Sequence, residues 1–446
     1  MAGLLAARVL SAHFNEVLLI DRDHFPDGPV PRKGVPQARH VHLLLMKGRM
    51  ILESLFPELP ADLLAAGAVP PVDLAADMAW LSPVGWGPRF ASGMTTFFCS
   101  RDLLESSVRA RVAALPNVRL ISDCEVRELL VTPGSVVSGV RVRQRDAAPD
   151  APTEYHAELV VDASGRTSRA PEWLESLGYG HLEETHVNAF LGYASRFYTI
   201  PTNFKRDWHA LFIQTRPPHG TRGGAIFPME GGRWLVTLVG TAHDYPPTDE
   251  AAFLEFARSL PTPELYEAVR HAEALGRIYG YQRTENQWRH FERLASWPEG
   301  LVVLGDAVCA FNPVYAQGMS VAALGAEVLD ESLRAGGSIG LGRKFQRQLA
   351  HMLEVPWSLA TSEDYRFPGT TGGQRSLALR FAHWYLPRLQ LLSVEQRDVY
   401  LKFVQVLHLL APPSILLAPT LVARVLRYAL KGDRGQVTPE SQISGQ

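Results

Sequence analysis

Hydrophobic spacing changes once within the first twenty-one residues. Leu4, Leu5, Val9, Leu10 and Phe14 recur at helical intervals. "EVLLID" then runs apolar to a terminal acid, the pattern of a buried parallel strand. A helix, a short turn and a strand ending in an acid make the second half of a dinucleotide-binding βαβ unit. There the last glycine of G-x-G-x-x-G lets helix and strand pack closely, and the acid meets a ribose hydroxyl about 20 residues on. Gly3 and Asp21 stand at those two places. Taken alone, residues 1–14 are equally an ordinary amphipathic helix. The unit's first strand and first two glycines do not occur. The reading therefore predicts a truncated chain, or a start at an internal Met in the glycine loop, and a sheet short of one central strand.

Two later stretches show the same alternation. "AELVVDASGRTSRAPEWLESLGY" (157–179) predicts a strand, Asp162, a Ser-Gly turn and a helix opening near Ser168. "GLVVLGDAVCAFNPVYAQGMSVAALGAEVLDESL" (300–333) predicts a strand ending in Gly305-Asp306, a loop through Pro313, and a long helix from about Gly318. Both put a flexible turn at the carboxyl end of a strand, where doubly wound sheets bind ligands. Free N–H groups and the positive dipole end near Gln317–Met319 suit negative charge. Asp306 suits sugar or ribityl hydroxyls.

Residues 186–290 change period. "GYASRFYTI", "HALFIQTR" and "GGAIFPMEGGRWLVTLVG" predict strands, the last a hairpin about its "GGR" turn. "DEAAFLEFARSL" and "PELYEAVRHA" predict helices. Residues 72–98, rich in Trp, Met and Phe, add a strand or two. After Leu333 the pattern is helical. "KFQRQLAHMLEVPWSLATSEDYRF" is expected to cover the nucleotide-binding part. "DVYLKFVQVLHLLAPPSILLAPTLVARVLRYAL" is apolar but broken by Pro412, Pro413 and Pro419, so it cannot span a bilayer as one helix. Packing on the protein body is expected there, ahead of contact with a membrane surface. The polar residues 433–446 are expected to fray.

Totals narrow the class. A chain of 446 residues needs more than one domain. Its net charge of -2 offers no basic surface for nucleic acid. Cys99, Cys124 and Cys309 lack metal-ligand spacing and are too few for a disulfide framework, which predicts a reducing cytoplasm. There is no basic-then-apolar leader. "RKGVPQARHVHLLL" (32–45) is polar for a segment so near a βα unit. Its His40 and His42 have no third ligand at a sensible spacing, so no metal is expected and structural hydrogen bonds are.

Together these motifs resemble the FAD-dependent aromatic hydroxylase and epoxidase superfamily of the para-hydroxybenzoate hydroxylase type, over roughly residues 1–345. Gly3 with Asp21 matches its glycine loop, and Ala163-Ser164-Gly165-Arg166 its DG-like turn, with Ser164 in the usual place of Asp. Gly305-Asp306 through Gly318 matches its GD motif. Cys309, Ala316 and Ser320 stand where many members have His, Gly and Asn. "RKGVPQARHVHLL" and "FNPVYAQGMS" are similar to segments of bacterial polyether-pathway polyene epoxidases.

The resemblance implies an α/β fold: a Rossmann-like FAD-binding domain apparently lacking its first strand, an antiparallel-sheet substrate domain and a C-terminal helical region. The FAD-binding domain would take residues 1–71, 99–185 and 291–345, the substrate domain 72–98 and 186–290, and the helical region 346–446. FAD would meet Gly3, Asp21, Arg22, Arg39, Arg101, Gly305, Asp306, Gly318 and Met319. Arg39 is expected at the pyrophosphate and ribityl chain, where a planar, permanently charged guanidinium suits phosphate. Arg101 opens a helix that Ser100 or Asp102 caps. Gln317 and Gly318 would stabilise charge at the flavin N1 side, and Pro313 would shape the face beside C4a.

The implied chemistry is transfer of oxygen from a C4a-(hydro)peroxyflavin to an alkene of a hydrophobic, polyketide- or polyene-like small molecule. O2 is the co-substrate, and NAD(P)H the electron donor, directly or through a reductase. Trp80, Phe97, Phe190, Tyr193, Phe212 and Phe227 are candidate pocket residues, although aromatics in such places more often simply fill a core. Epoxidation is preferred to aromatic hydroxylation because the local resemblances are to epoxidases and the middle domain shows no polar cluster for a phenolate. Halogenation is disfavoured because no W-x-W-x-I-P occurs. Reduction of prenyl double bonds and a non-catalytic flavoprotein remain as alternatives.

Overall fold

The computed structural model describes residues 1–134, 136–145 and 153–430. The expected parallel strands form, but as two separate pairs. Val17–Ile20 pairs with Val118–Ile121, and Val160–Asp162 with Leu301–Val303. The helix Ala2–Leu10 packs against the first and last-named regions through Leu4, Leu5, Val9 and Leu10, all buried. It stops four residues short of the Phe14 expected from periodicity, because Ser11 to His13 tighten into a turn whose N–H groups bond back to Ala7, Val9 and Leu10. Helices Arg101–Ala113 and Gly318–Gly336 complete this core. The helix expected at Ser168 opens at Ala170, since the Ser168 hydroxyl accepts the Ala170 N–H.

The middle of the chain builds a seven-stranded sheet. Its order is Ala274–Tyr281, Gly192–Thr199, Arg233–Gly240, Arg222–Met229, Ala210–Ile213, Met78–Ser82 and Gly85–Trp86. The hairpin between the third and fourth strands turns at Gly231 and Gly232, both at positive φ, which explains the "GGR" signal. Pairing is antiparallel except where Ala210–Ile213 meets Met78–Ser82 in parallel, because the latter arrives from an earlier excursion of the chain. One face packs on helices Glu250–Arg258 and Glu264–Val269. The other packs against residues of the 40–46 segment and Val314.

Two smaller sheets had no counterpart in the sequence reading. One joins Cys124–Thr132, Val136–Gln144 and Thr153–His156. The other joins Cys309–Ala310, Asn286–Arg289, Glu184–Asn188 and Thr371–Gly372. The helix Leu341–Asp364 runs unbroken through the boundary expected at 345, carrying Pro356 inside it. Leu377–Glu395, Arg397–Leu407 and Pro419–Leu430 share an apolar core, and Tyr400 and Phe403 of the second reach Trp80 at the sheet's edge. Pro413 opens a short 3-10 turn where prolines were expected to interrupt the helix. Among the described residues no helix is long and apolar enough to cross a membrane. The expected fraying at 433–446 lies outside the described residues.

Candidate functional site

The end of strand Val17–Ile20 gathers charge. Asp21 accepts the Asp23 N–H at 2.9 Å and Arg32 Nη2 at 3.1 Å. Arg32 also meets Glu105 at 3.3 Å, and Glu105 meets Arg101 Nη2 at 3.0 Å. Burial alone would raise the Glu105 carboxyl. The Met1 amino group, Arg101, Arg32 and Arg109 instead hold it at about 2. Arg101 is 8% exposed because Ser100 caps its helix, the Leu103 N–H reaching Ser100 Oγ at 3.0 Å, and so aims the first residue inward. Its Nη1 is buried without a hydrogen-bond partner. Arg22 is exposed and reaches Thr167 at 3.3 Å.

The second strand tip, at Gly305 and Asp306, also feels the charge of Arg101. Gly305 turns at φ 67, and a Cβ there would sit 2.6 Å from Ala2 Cβ, so only glycine lets the turn meet the first helix. Burial raises the Asp306 carboxyl, against the pull of Arg166, the Met1 amino group and Arg101. Gly3 approaches Ala163, its hypothetical Cβ 3.6 Å from that side chain. Gln317 caps the Gly318 helix with its Oε1 buried and unpartnered, and a Cβ on Gly318 would meet only open space. Met319, Arg101, His42 and Phe97 line one small cavity.

The turn that feeds this helix is locked from a distance. The buried carboxylate of Asp364 accepts the Tyr315 hydroxyl at 2.6 Å, Asn286 Nδ2 at 2.6 Å and Asn312 Nδ2 at 3.2 Å. Asn286 Oδ1 accepts the Asn312 N–H at 2.8 Å. Burial raises Asp364 to about 7, with the three donors pulling the other way. Pro313 therefore sits between two residues, Asn312 and Tyr315, bonded to one carboxylate. Arg166 ties the DG-like turn in as well, donating to the Phe311 carbonyl at 2.8 Å.

Cross-strand partners place Tyr279, Ser195, Thr237, Ala225, Phe212 and Trp80 in one row on the sheet face toward these turns. Tyr193 and Phe227 lie in the neighbouring rows of that face. The opening segment crosses it. Arg39 lies 4.2 Å over the Tyr279 ring, and His40 packs beside Tyr193 and Tyr281. Ser195 and Thr237 are polar groups on a face expected to carry no polar cluster for a phenolate; Ser195 meets His40 and Thr237 meets the Val41 N–H. The Val41 N–H can only donate, so Thr237 Oγ1 accepts it at 3.0 Å. Thr237 then donates to Ser195 at 2.6 Å, and Ser195 to His40 Nδ1 at 2.7 Å. The reverse order would strand the buried Thr237 proton, at a cost of about 1–3 kcal/mol. His40 thus carries its proton on Nε2, turned away from Ser195. Burial lowers its pKa to about 3, so the ring is neutral.

The structure thus joins Asp21, Arg101, Asp306, Met319 and the Gly318 helix start around one region, with Tyr193, Phe212, Phe227 and Trp80 across the facing sheet. It brings Phe97 to the Arg101 cavity, where Arg49 lies 4.5 Å over its ring. Phe190 is not in the group, its ring stacked on His243 at 4.0 Å. Sequence reasoning missed Glu105, Asp364, Asn286, Tyr315, Ser195 and Thr237, and used Arg32 and Arg166 only as members of motifs.

No protein-family model matches the chain. It is 30% identical to protein Rv3254 of Mycobacterium tuberculosis over 458 residues, covering 98% of this chain and 95% of that protein. The chain belongs to the family of Rv3254. This member of the Rv3254 family also has the fold of flavin-dependent halogenases and FAD-dependent monooxygenases. It superposes on the flavin-dependent brominase Bmp2 with a TM-score of 0.65 at 15% identity, covering 96% of this chain and 97% of that one. It superposes on PqsL, a probable FAD-dependent monooxygenase from Pseudomonas aeruginosa, with a TM-score of 0.57 at 14% identity, covering 82% and 95%.

Proposed function

We propose that this member of the Rv3254 family is an FAD-dependent monooxygenase that epoxidises an alkene of a hydrophobic, polyketide- or polyene-like molecule. The observation that carries the reading is Arg101: a buried guanidinium, part-neutralised by Glu105, with an unpartnered N–H, on a residue that lines the same cavity as Met319. A buried donor left unmade costs about 1–3 kcal/mol, and an anionic oxygen removes that cost. The unpartnered Gln317 Oε1 can only accept, which fits a hydroxyl or N–H of the same elongated group, and the approach to Gly318 is open.

Gly3, Asp21, Arg22, Arg39, Arg101, Gly305, Asp306, Gly318 and Met319 would hold FAD, with Asp21 and Arg32 at the adenosine end. When bound, and reduced by NAD(P)H directly or through a reductase, the flavin supplies the activation of O2. The protein's task is placement. Asp364 fixes Asn312 and Tyr315, and so Pro313. The start of the Gly318 helix favours negative charge beside it. Trp80, Phe212 and Phe227 pack in one apolar cluster with Phe98, Tyr400 and Phe403, which would keep water from an apolar substrate bound against it. His40 offers one neutral N–H donor. Support for an alkene comes from these apolar rows and from the two segments similar to polyene epoxidases.

The test is NAD(P)H consumption in the presence of a linear polyene, with the product weighed by mass spectrometry. A polyene-dependent product heavier by one oxygen atom is expected. Turnover stimulated by phenols alone would replace epoxidation with hydroxylation, and incorporation of added bromide would replace it with halogenation.

A further inference from the structure

The sheet face beside Pro313 carries hydrogen-bond donors that the fold itself does not use. Tyr193 and Tyr281 stand opposite each other on neighbouring strands, so both rings project from one face. Val314, next to Pro313, packs with them and with Leu191 and Val239. His40 lies over the same face, its ring centre 5.7 Å from that of Tyr193 and 5.6 Å from that of Tyr281. His40 and Tyr193 are buried, at 4% and 6% exposed.

Each of these side chains has a proton to give. Ser195 occupies His40 Nδ1 at 2.7 Å, which leaves the imidazole proton on Nε2. Among the described residues no group accepts that proton, and neither the Tyr193 nor the Tyr281 hydroxyl makes a hydrogen bond. Burial, with Asp364 close by, keeps the Tyr193 phenol un-ionised. Burial likewise keeps His40 neutral. An unmet donor in such a place is costly, and a bound acceptor removes that cost. The imidazole N–H can only donate, so the atom it meets must accept. A carbonyl oxygen, with two lone pairs, takes this N–H and one hydroxyl. Neutral donors favour a neutral oxygen, because a buried carboxylate needs a cation that neither His40 nor the tyrosines supply.

We propose that His40 Nε2–H, together with a hydroxyl of the Tyr193–Tyr281 pair, binds a neutral carbonyl oxygen of the substrate. The molecule taken up is then an unsaturated carbonyl compound and not a bare hydrocarbon. His40, Tyr193 and Tyr281 orient its apolar chain by holding that one oxygen. A carbonyl so held draws electrons from any alkene conjugated with it, so an isolated alkene is the better target for electrophilic oxygen. The inference rests on the reading of the Pro313 face as the place of reaction.

The test uses geranylacetone, a linear ketone with isolated alkenes, and the hydrocarbon left when its carbonyl is replaced by a methylene. Both are bound to the FAD-reconstituted protein without NAD(P)H, and affinities are read by equilibrium dialysis. Tyr193→Phe with Tyr281→Phe should weaken the ketone by about two- to tenfold, the loss of one hydrogen bond. The same variant should leave the hydrocarbon's affinity unchanged, since only hydroxyls are removed. In the wild type, the infrared carbonyl stretch of carbon-13-labelled ketone should fall on binding, and the His40 Nε2 proton signal should move. The variant should reverse part of the infrared shift. Equal losses for the two ligands, no loss for the ketone, no saturable ketone binding, or an unmoved carbonyl stretch would overturn the assignment. None of these readings needs turnover. A protein that shifts the ketone and never oxidises it would fail the oxygenase reading and keep this one. Oxygen transfer to a ketone that the variant binds as tightly as wild type would do the reverse.

Discussion

At the scale of single residues, the site is defined by groups whose partners are incomplete or fixed in direction. Arg101 keeps Glu105 neutralised with one side of its guanidinium and leaves Nη1 unpaired. Arg101→Gln should weaken FAD binding by about ten- to a hundredfold, as expected for losing a charge-assisted contact. Glu105 retains Arg32, so the variant should still fold. Titration followed by flavin fluorescence measures the change, and unchanged affinity would remove Arg101 from the site. The direction of the Thr237–Ser195–His40 relay predicts that the nitrogen-15 spectrum of His40 shows the proton on Nε2 and does not titrate between about pH 5 and 8. Ser195→Ala should release that tautomer. A protonated Nδ1 in the wild type would refute the order of donors.

Asp364 supplies a signed pH test. Its folded value of about 7 lies above the roughly 3.9 of an unfolded Asp. Between those values the native state holds the extra proton. The contribution to stability is therefore complete at low pH and lost as pH rises through 7, by roughly 4 kcal/mol across the window. The melting temperature of wild type minus that of Asp364→Asn should fall as pH rises from about 5 to 8. A difference independent of pH, or one that grows with pH, would contradict the burial argument.

At the scale of elements, what the sequence showed was whatever local periodicity and turn chemistry decide. The Val17–Ile20 and Leu301–Val303 strands, the helix from Gly318 and the Gly231–Gly232 hairpin all formed where the pattern placed them. The parallel joining of Met78–Ser82 to Ala210–Ile213 was not legible, because register between strands more than a hundred residues apart is set by the packed face and not by either strand. The same reason hid Asp364. It lies 52 residues from Asn312 and 78 from Asn286, at the end of a helix whose sequence advertises only amphipathicity. Arg39 was legible as a special position, but its stacking on Tyr279 was not.

One junction between elements is testable by acid. His408 Nδ1 accepts the Met46 N–H at the start of the helix Met46–Leu55, at 3.2 Å. Burial lowers His408 to about 4, below the roughly 6.5 of an unfolded His. Its contribution is present above 6.5 and lost as pH falls through 4. His408→Leu should cost about 0.5–2 kcal/mol at pH 7.5, the loss of a helix cap, and should flatten the decline of melting temperature between pH 6.5 and 4. Parallel wild-type and variant curves would show that the junction does not titrate.

At the scale of the molecule, two strand tips and one sheet face enclose a site. The helix Arg397–Leu407 packs Tyr400 and Phe403 on Trp80 of the sheet. The account depends on FAD occupying the region from Asp21 past Arg101 to the Gly318 helix. The most direct measurement is the flavin released on denaturing the purified, FAD-reconstituted protein, with FMN titrated in parallel. The account predicts one FAD per chain and FMN bound far more weakly, because the Asp21–Arg32 end reads the adenosine half. No retained flavin and no saturable FAD binding, or FMN held as tightly as FAD, would contradict it.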